Sequence, residues 1–494
     1  MKFRLMNCIR GLVPVLVLML TLVGCGDDGT AGTGDGGETG AETADTAGEE
    51  TGEETGEGTG KETEGETTGD ETEGETTGDE TEGETTGDET EGETGAEEVA
   101  GNLIAAGALH SCAVDEIGDV WCWGYDFEDA PLAGGSGDVQ YEPTKIQGLS
   151  NIVSVHAGNW FACALSAEGL VSCWGDNTYG FFGNGEFGEG TQSGVAHEVP
   201  GLGPVTQVAL GGWHACALKA DGTVWCWGTN NNGELGNGEW ADAGVEVLES
   251  VPQMVPGLID VSQIAAGRNH ACAVANPAKG LYCWGGNHWG QLGNGKAHPN
   301  YPDGEAVESE PQFILFGGVE QLWVHGQQTC YRDAAESVWC FGANNHNQLG
   351  SGKMWEDYPE DEAFETTPVL SSPLQGAQQM DGNLFHGCAI FEGGEVKCWG
   401  NSIYGALGNG AVVGESAVEL TPVTVSLPSP ATDIAAGGFG YFDEETESWE
   451  NWAHTCASME GGGVYCWGMN DYGQCGTAAV SASSLPIAVS LGTP

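Results

Sequence analysis

Basic side chains are scarce in this chain. Its 494 residues include 12 Lys and Arg against 74 Asp and Glu, a formal net charge of −62. A nucleic-acid reader draws much of its affinity from Lys and Arg on the phosphate backbone, so DNA and RNA are excluded as expected partners. Long apolar runs are also missing beyond the first 25 residues, so no later segment reads as a membrane span. No stretch sustains helical periodicity, which leaves β structure to bury the apolar side chains. There is no nucleophile motif, no phosphate loop and no HExxH pair. No cofactor or metal is therefore expected, and catalysis has no positive support.

What is present begins with an export signal. Lys2, Arg4 and Arg10 precede an apolar run, Gly11 to Val23, that is too short to span a bilayer comfortably. Leu22-Val23-Gly24-Cys25 resembles the lipobox of bacterial lipoproteins, which implies removal of residues 1–24 and acylation of Cys25. An ordinary secretory signal or an N-terminal anchor is the alternative. The expected location is the bacterial cell envelope, periplasmic or on the outer surface, with the lipid as the membrane attachment.

Residues 25–100 are of another character. Between residues 26 and 98 stand 28 Asp or Glu against one lysine, Lys61, and TTGDETEGE occurs three times, starting at Thr67, Thr76 and Thr85. So few apolar side chains cannot offset the entropy of ordering, and the segment reads as a disordered spacer. Its r.m.s. span is roughly 50 Å, further extended by self-repulsion. An acidic sponge for calcium or a cationic polymer is the sharper alternative, but no ligand-loop spacing supports it.

From residue 101 a cysteine pair recurs seven times. The pairs are Cys112 and Cys122, Cys163 and Cys173, Cys216 and Cys226, Cys272 and Cys283, Cys330 and Cys340, Cys388 and Cys398, and Cys456 and Cys466. A fixed motif at that period marks a repeat architecture. Unit three shows an apolar stretch, a hairpin turned at Lys219-Ala220-Asp221-Gly222, a Gly/Asn-rich loop and a Pro-led strand, and unit one departs from it in lacking the GQLGNG loop. Four short strands in each of seven units predict an all-β, seven-bladed propeller of four-stranded blades over 101–494. The pattern IAAGxxHxC…DGxVxCWGxNxxGQLGNG, best kept in Ala265–Gly295, resembles the regulator of chromosome condensation repeat family. That resemblance also implies a seven-bladed propeller. A Pro-led strand precedes units two to seven but not unit one. The strand 485–491 is therefore expected to pair into the first blade and close the ring.

The cysteines read as staples. With Lys219 opposite Thr223, Cys216 falls directly opposite Cys226 in a non-hydrogen-bonded pair, a position that accepts a disulfide. Export favours oxidation. Reduced thiols packed between blades are the alternative; zinc wants CxxC-like knuckles that these spacings lack. Cys475 stands where other units have Leu and reads as a small buried residue.

His110, His214, His270, His386 and His454 share one repeat position with Phe161 and Gln328, so packing explains them better than a metal. The residues after the second cysteines (Trp123, Trp174, Trp227, Trp284, Trp399, Trp467 and Phe341) read as core between blades. Strand parity puts the long insertions on one face: Glu186–Glu198, Glu239–Ser250, Lys296–Glu310, Lys353–Thr367, Ala411–Leu420 and Gly438–Ala453. Phe187, Trp240, Tyr301, Trp355, Tyr358, Phe364, Tyr441, Phe442, Trp449 and Trp452 lie on them and make the candidate binding face. The family includes a guanine-nucleotide exchanger for a nuclear GTPase and a secreted β-lactamase inhibitor. The first does not carry over to an exported chain, and no inhibitor residues can be matched here. The expectation is a monomeric, non-catalytic platform for a protein or glycan. An envelope enzyme using loop carboxylates on polysaccharide and a structural or adhesion component are the alternatives.

Overall fold

The computed structural model describes residues 102–125, 139–241, 245–276, 278–298, 306–353, 355–358, 363–411, 417–443 and 448–492. The export signal, Cys25 and the acidic spacer lie outside these residues. The described strands form seven separate four-stranded antiparallel sheets, each made of consecutive strands in the order first, second, third, fourth. The blades span 104–145, 152–198, 205–254, 263–315, 319–370, 379–424 and 431–489. No helix among the described residues is long and apolar enough to cross a membrane.

Blade three illustrates how the sequence makes a unit. Its strands are Val205–Leu210, His214–Lys219, Val224–Thr229 and Leu248–Met254. Lys219 N–H donates to the Thr223 carbonyl at 2.9 Å, which closes the DG turn. Counting outward then places Cys216 opposite Cys226 and Ala217 opposite Trp225.

The same staple recurs in every blade. Cys112 is bonded to Cys122, Cys163 to Cys173, Cys216 to Cys226, Cys272 to Cys283, Cys330 to Cys340, Cys388 to Cys398 and Cys456 to Cys466. The Cα atoms of each pair are 4.0–4.1 Å apart. Reduced thiols between blades are thereby replaced by disulfides within them. In blade four the turn holds one residue more, yet Cys272 still faces Cys283. The glycine of each CWG or CFG motif then bulges the third strand. At Gly124 φ is +114°, and a Cβ there would lie 2.4 Å from the Leu109 carbonyl oxygen.

Blades adhere through the tryptophans. Trp227 of blade three is fully buried in a cluster with Phe161, Cys163 and Phe181 of blade two. Its indole N–H donates to the Phe181 carbonyl at 2.8 Å, and Trp284, Trp399, Trp467 and Trp123 make the same bond to Glu234, Gln348, Ala406 and Gln474 at 2.7–2.9 Å. Trp174 Nε1 has no partner among the described residues; the blade-one loop at the corresponding place, 126–138, lies outside them. The recurrent Asn of these loops is explained locally. The Oδ1 atoms of Asn177, Asn230, Asn287, Asn344 and Asn470 accept the N–H five residues on, at 2.7–3.0 Å. Cys475 is one of those donors. It is buried and free, and burial pushes its thiol well above the usual range.

The expected closure by strand 485–491 is corrected. Ala482–Val489 pairs with Val464–Met469 of its own unit, with Ile487 opposite Cys466, while blade one is completed by its own Val139–Lys145. The prolines are the reason for the difference. Pro143, Pro252, Pro311, Pro368, Pro422 and Pro486 sit within outermost fourth strands, where the missing N–H blunts an exposed edge. They therefore end a unit and do not open the next. The ring is closed by side chains: Asp433 of blade seven accepts the N–H groups of Leu103 and of Ile104, the latter at 3.0 Å.

Candidate functional site

The two ends of the propeller are built differently. At one end the DG turns lie beside the first strand of the next blade, as Val205 N–H donating to the Gly169 carbonyl at 2.9 Å shows. At the other, the turns between first and second strands form a belt around the axis. Ala108 donates to Asn159, Asn159 to Gly212, Gly212 to Arg268 and Arg268 to Gly326, all backbone N–H to carbonyl at 2.7–3.2 Å. The loops after the third strands share this end, since Asp176 donates to Trp160 and Thr229 to Trp213 at 2.9–3.0 Å.

Gly438–Ala453 is not an irregular loop. Ala431–Asp443 and Ser448–Met459 are paired throughout, so the innermost hairpin of blade seven continues far past its neighbours, with Phe439 opposite Trp452 and Phe442 opposite Trp449. It leans over the axis. The Phe439 ring lies 5.7 Å from that of Trp160 in blade two and 4.9 Å from the Arg268 guanidinium in blade four. A Cβ on Gly440 would stand 2.6 Å from the Phe385 ring of blade six. At its root Trp452 packs edge-on against Tyr472 at 6.0 Å.

The sequence-derived aromatics fall into different environments. Trp452 is only 8% exposed and belongs to the packing beneath the hairpin. Tyr358 is held inside its own loop: its Oη accepts from Asn344 Nδ2 at 2.7 Å and donates to Glu365 Oε1 at 3.2 Å. Burial pushes the Tyr358 pKa up to about 12. Phe364 opens an outer strand and meets Trp289 at 6.4 Å. Trp240 is half-buried, and Phe187 is exposed beside a shallow depression with Glu186, Thr191 and His197. Trp355 lies in a short 3-10 turn, and Tyr441, Phe442 and Trp449 in the hairpin strands; their side chains and all of Tyr301 lie outside the description. Among the described side chains, Phe187, Trp240, Tyr358, Phe364 and Trp452 stand in separate environments spread over blades two, three, five and seven. Those gathered at the axis are Trp160, Phe385, Phe439 and Tyr472, with Trp213 and Arg268 on the belt. Sequence patterns pass over Trp160, Trp213, Arg268, Phe385 and Tyr472 because they sit in short turns, while Phe439 lies on the Gly438–Ala453 insertion itself. The signal available is the residue before each repeat-position His or Phe, Trp in units two and three.

The histidines are packing devices. His110, His214, His270, His386 and His454 are all buried, and burial pulls their pKa values down to about 3–4. A Cβ on Gly211 would be 2.2 Å from His214 Cε1, which is why glycine stands three residues before it. Where the next blade offers a hydroxyl, Nε2 meets it: His270 with Thr329 Oγ1 at 3.0 Å, His386 with Thr455 Oγ1 at 2.8 Å and His454 with Ser111 Oγ at 3.0 Å. Each hydroxyl gives its own hydrogen to a loop carbonyl at 2.9–3.1 Å, so Nε2 is the donor. His110 and His214 face blades with Ala162 and Ala271 at that position, and their Nε2 atoms have no partner among the described residues.

Comparison with known proteins agrees with this geometry. Residues 103–128, 152–180, 205–234, 261–291 and 451–474 match a regulator of chromosome condensation repeat model, and 221–274 match a second model of that repeat. The Ultraviolet-B receptor UVR8 of Arabidopsis thaliana is 29% identical over 388 residues, 76% of this chain and 78% of UVR8. The probable E3 ubiquitin-protein ligase HERC6 of Homo sapiens is 32% identical over 197 residues, 39% of this chain but 19% of HERC6. Among solved structures, Prp20p of Saccharomyces cerevisiae, a protein with binding properties toward Gsp1p and histones, superposes with a TM-score of 0.60 at 18% identity, over 76% of this chain and 86% of Prp20p. That last likeness is one of fold alone.

Proposed function

Because this chain is a seven-bladed propeller of regulator of chromosome condensation repeats, we propose that it is a non-catalytic binding platform for a protein or glycan, held at the bacterial cell envelope by lipid on Cys25. One observation carries the reading of the site: the blade-seven hairpin crosses the axis onto residues of blades two, four and six. The DG turns at the opposite end stay short. A rigid ring bearing one elaborated end is the usual design of a recognition scaffold. Prp20p, with its binding toward Gsp1p and histones, supports a protein ligand. The ligase activity in the name of HERC6 does not follow, since this chain spans 19% of that protein.

The test is capture from an envelope extract with the mature chain, beside a variant whose hairpin is cut back between Gly438 and Ala453. One partner captured by the first and lost from the second, at equal melting temperature, is the expected result. Hairpin-independent capture, or turnover of a polysaccharide panel, would overturn the reading. In the same preparation Cys25→Ser should move the protein from the membrane fraction to the soluble one; retention would remove the lipid anchor from the proposal.

A further inference from the structure

From residue 101 onward the chain has 46 Asp and Glu but eight Lys and Arg. In such surroundings a cation finds a carboxylate easily. Lys145, Lys279, Lys296, Lys353 and Lys397 each have one within ion-pair distance. Arg332 donates to the Ala377 carbonyl at 3.4 Å, and Lys219 lies over the Trp225 ring beside a DG turn, at the other end of the propeller. Arg268 does not follow the ion-paired group. Among the described residues its guanidinium has neither a hydrogen bond nor an ion pair, and its contact is the Phe439 ring at 4.9 Å. Burial with no compensating charge pulls its pKa down to about 10.

Stacking on Phe439 covers a face of the guanidinium and leaves its in-plane N–H groups available. A second donor waits beside it. Asn159 Nδ2 is buried without an acceptor, in a residue that is 9% exposed. Both abut the bare side of Gly212, where a Cβ would lie 3.0 Å from Asn159 Nδ2 and 3.3 Å from Arg268 Cγ. Two donors, on the blade-two and blade-four turns that flank Gly212 in the axial belt, lack an acceptor among the described residues. A planar anion with two oxygens suits a guanidinium fork. The domain's own charge restricts who can bring it. A polyuronate carries a charge on every sugar and meets the repulsion of the whole acidic surface, whereas a basic surface is drawn in.

We propose that Arg268, with Asn159, is the docking point for one carboxylate of a protein partner whose surface is otherwise neutral or basic. This rests on the reading of the hairpin end as the binding end.

The experiment uses the mature chain and three fluorescent probes at low salt: a short lysine-flanked peptide with one central aspartate, its asparagine counterpart, and polygalacturonate. Lysines alone draw both peptides to an acidic protein, so the ratio between them is the readout. The aspartate peptide should bind about tenfold tighter, with that preference lost in Arg268→Gln and kept in Arg332→Gln. Arg268→Gln should melt close to the wild type, since within the fold it gives up the Phe439 contact and no hydrogen bond or ion pair. Equal binding of both peptides, a preference that survives Arg268→Gln, or tighter binding of polygalacturonate would overturn the assignment. Hairpin-dependent capture without peptide preference would defeat the Arg268 site and leave the binding end standing. Peptide preference without hairpin-dependent capture would do the reverse.

Discussion

Neighbouring blades are clamped at the innermost strand in two chemically different ways. Between blades three and four, Gln207 Oε1 accepts the Ile264 N–H at 3.0 Å and Nε2 donates to the Ile264 carbonyl at 2.9 Å. Gln263 does the same for blade five through Leu322 N–H and the Glu320 carbonyl. From blade six to blade one the clamps are carboxylates. Asp381 accepts the Ala436 N–H at 2.9 Å, and Asp433 accepts those of Leu103 and Ile104 together with a bond from Gln379. An amide satisfies one donor and one acceptor and stays neutral. A carboxylate accepts more bonds but must be desolvated, and burial raises Asp433 to about 6 and Asp381 to about 7 against several opposing hydrogen bonds. The carboxylate clamps between blade six and blade one therefore respond to proton concentration, whereas the glutamine clamps do not titrate.

The sharpest way to break this comparison is truncation. Asp433→Ala orphans Leu103 N–H, Ile104 N–H and the Gln379 amide at once, and should cost about 2–4 kcal/mol; Gln207→Ala orphans one donor and one acceptor and should cost roughly 1–3 kcal/mol. Denaturant titration of both variants checks the order, and a costlier Gln207 truncation would remove the closing role from Asp433.

The next test is pH. The raised carboxylates hold protons in the folded state that the unfolded chain has released, so their penalty is absent at low pH and grows as pH rises from about 4 toward 7. Nine histidines have depressed values, seven of them, including His156 and His325, down to about 3–4. Their contribution is full above about 6.5 and is lost as pH falls toward their folded values. The melting temperature should therefore drop steeply below about pH 6. Above it a shallower decline is expected, and Asp381→Asn should flatten it. A flat profile from about pH 5 to 8 would contradict both.

The smallest effect concerns the histidine seams. Ala271→Thr offers His214 the hydroxyl that Thr329 offers His270, and should stabilise by about 0.5–1.5 kcal/mol. A loss of stability would mean that this position is packed too tightly to accept the group.

Legibility differs from element to element. Cys216 opposite Cys226 follows from counting outward from one DG turn, because a two-stranded register is local. The partner of Ala482–Val489 cannot be counted that way. A proline-bearing strand reads equally well as the start of one unit or the end of another, and only pairing with Val464–Met469 decides. Strand parity places Gly438–Ala453 at the correct end but leaves it a loop, because its acids and aromatics do not alternate cleanly enough to betray a hairpin. Arg268 carries no signal at all. Its distinction is the absence of a carboxylate neighbour, which is a fact about distance in space.

By itself, then, the chain's periodicity determined the seven-fold repeat, the hairpin register, the disulfide pairing and which end carries the insertions, since each depends on contacts between near neighbours in the chain. Tertiary structure alone decided how the ring closes, which histidines find a hydroxyl and which side chains gather at the axis. Those contacts join residues as far apart as Ile104 and Asp433, and nothing in local sequence records which strands the ring will bring side by side.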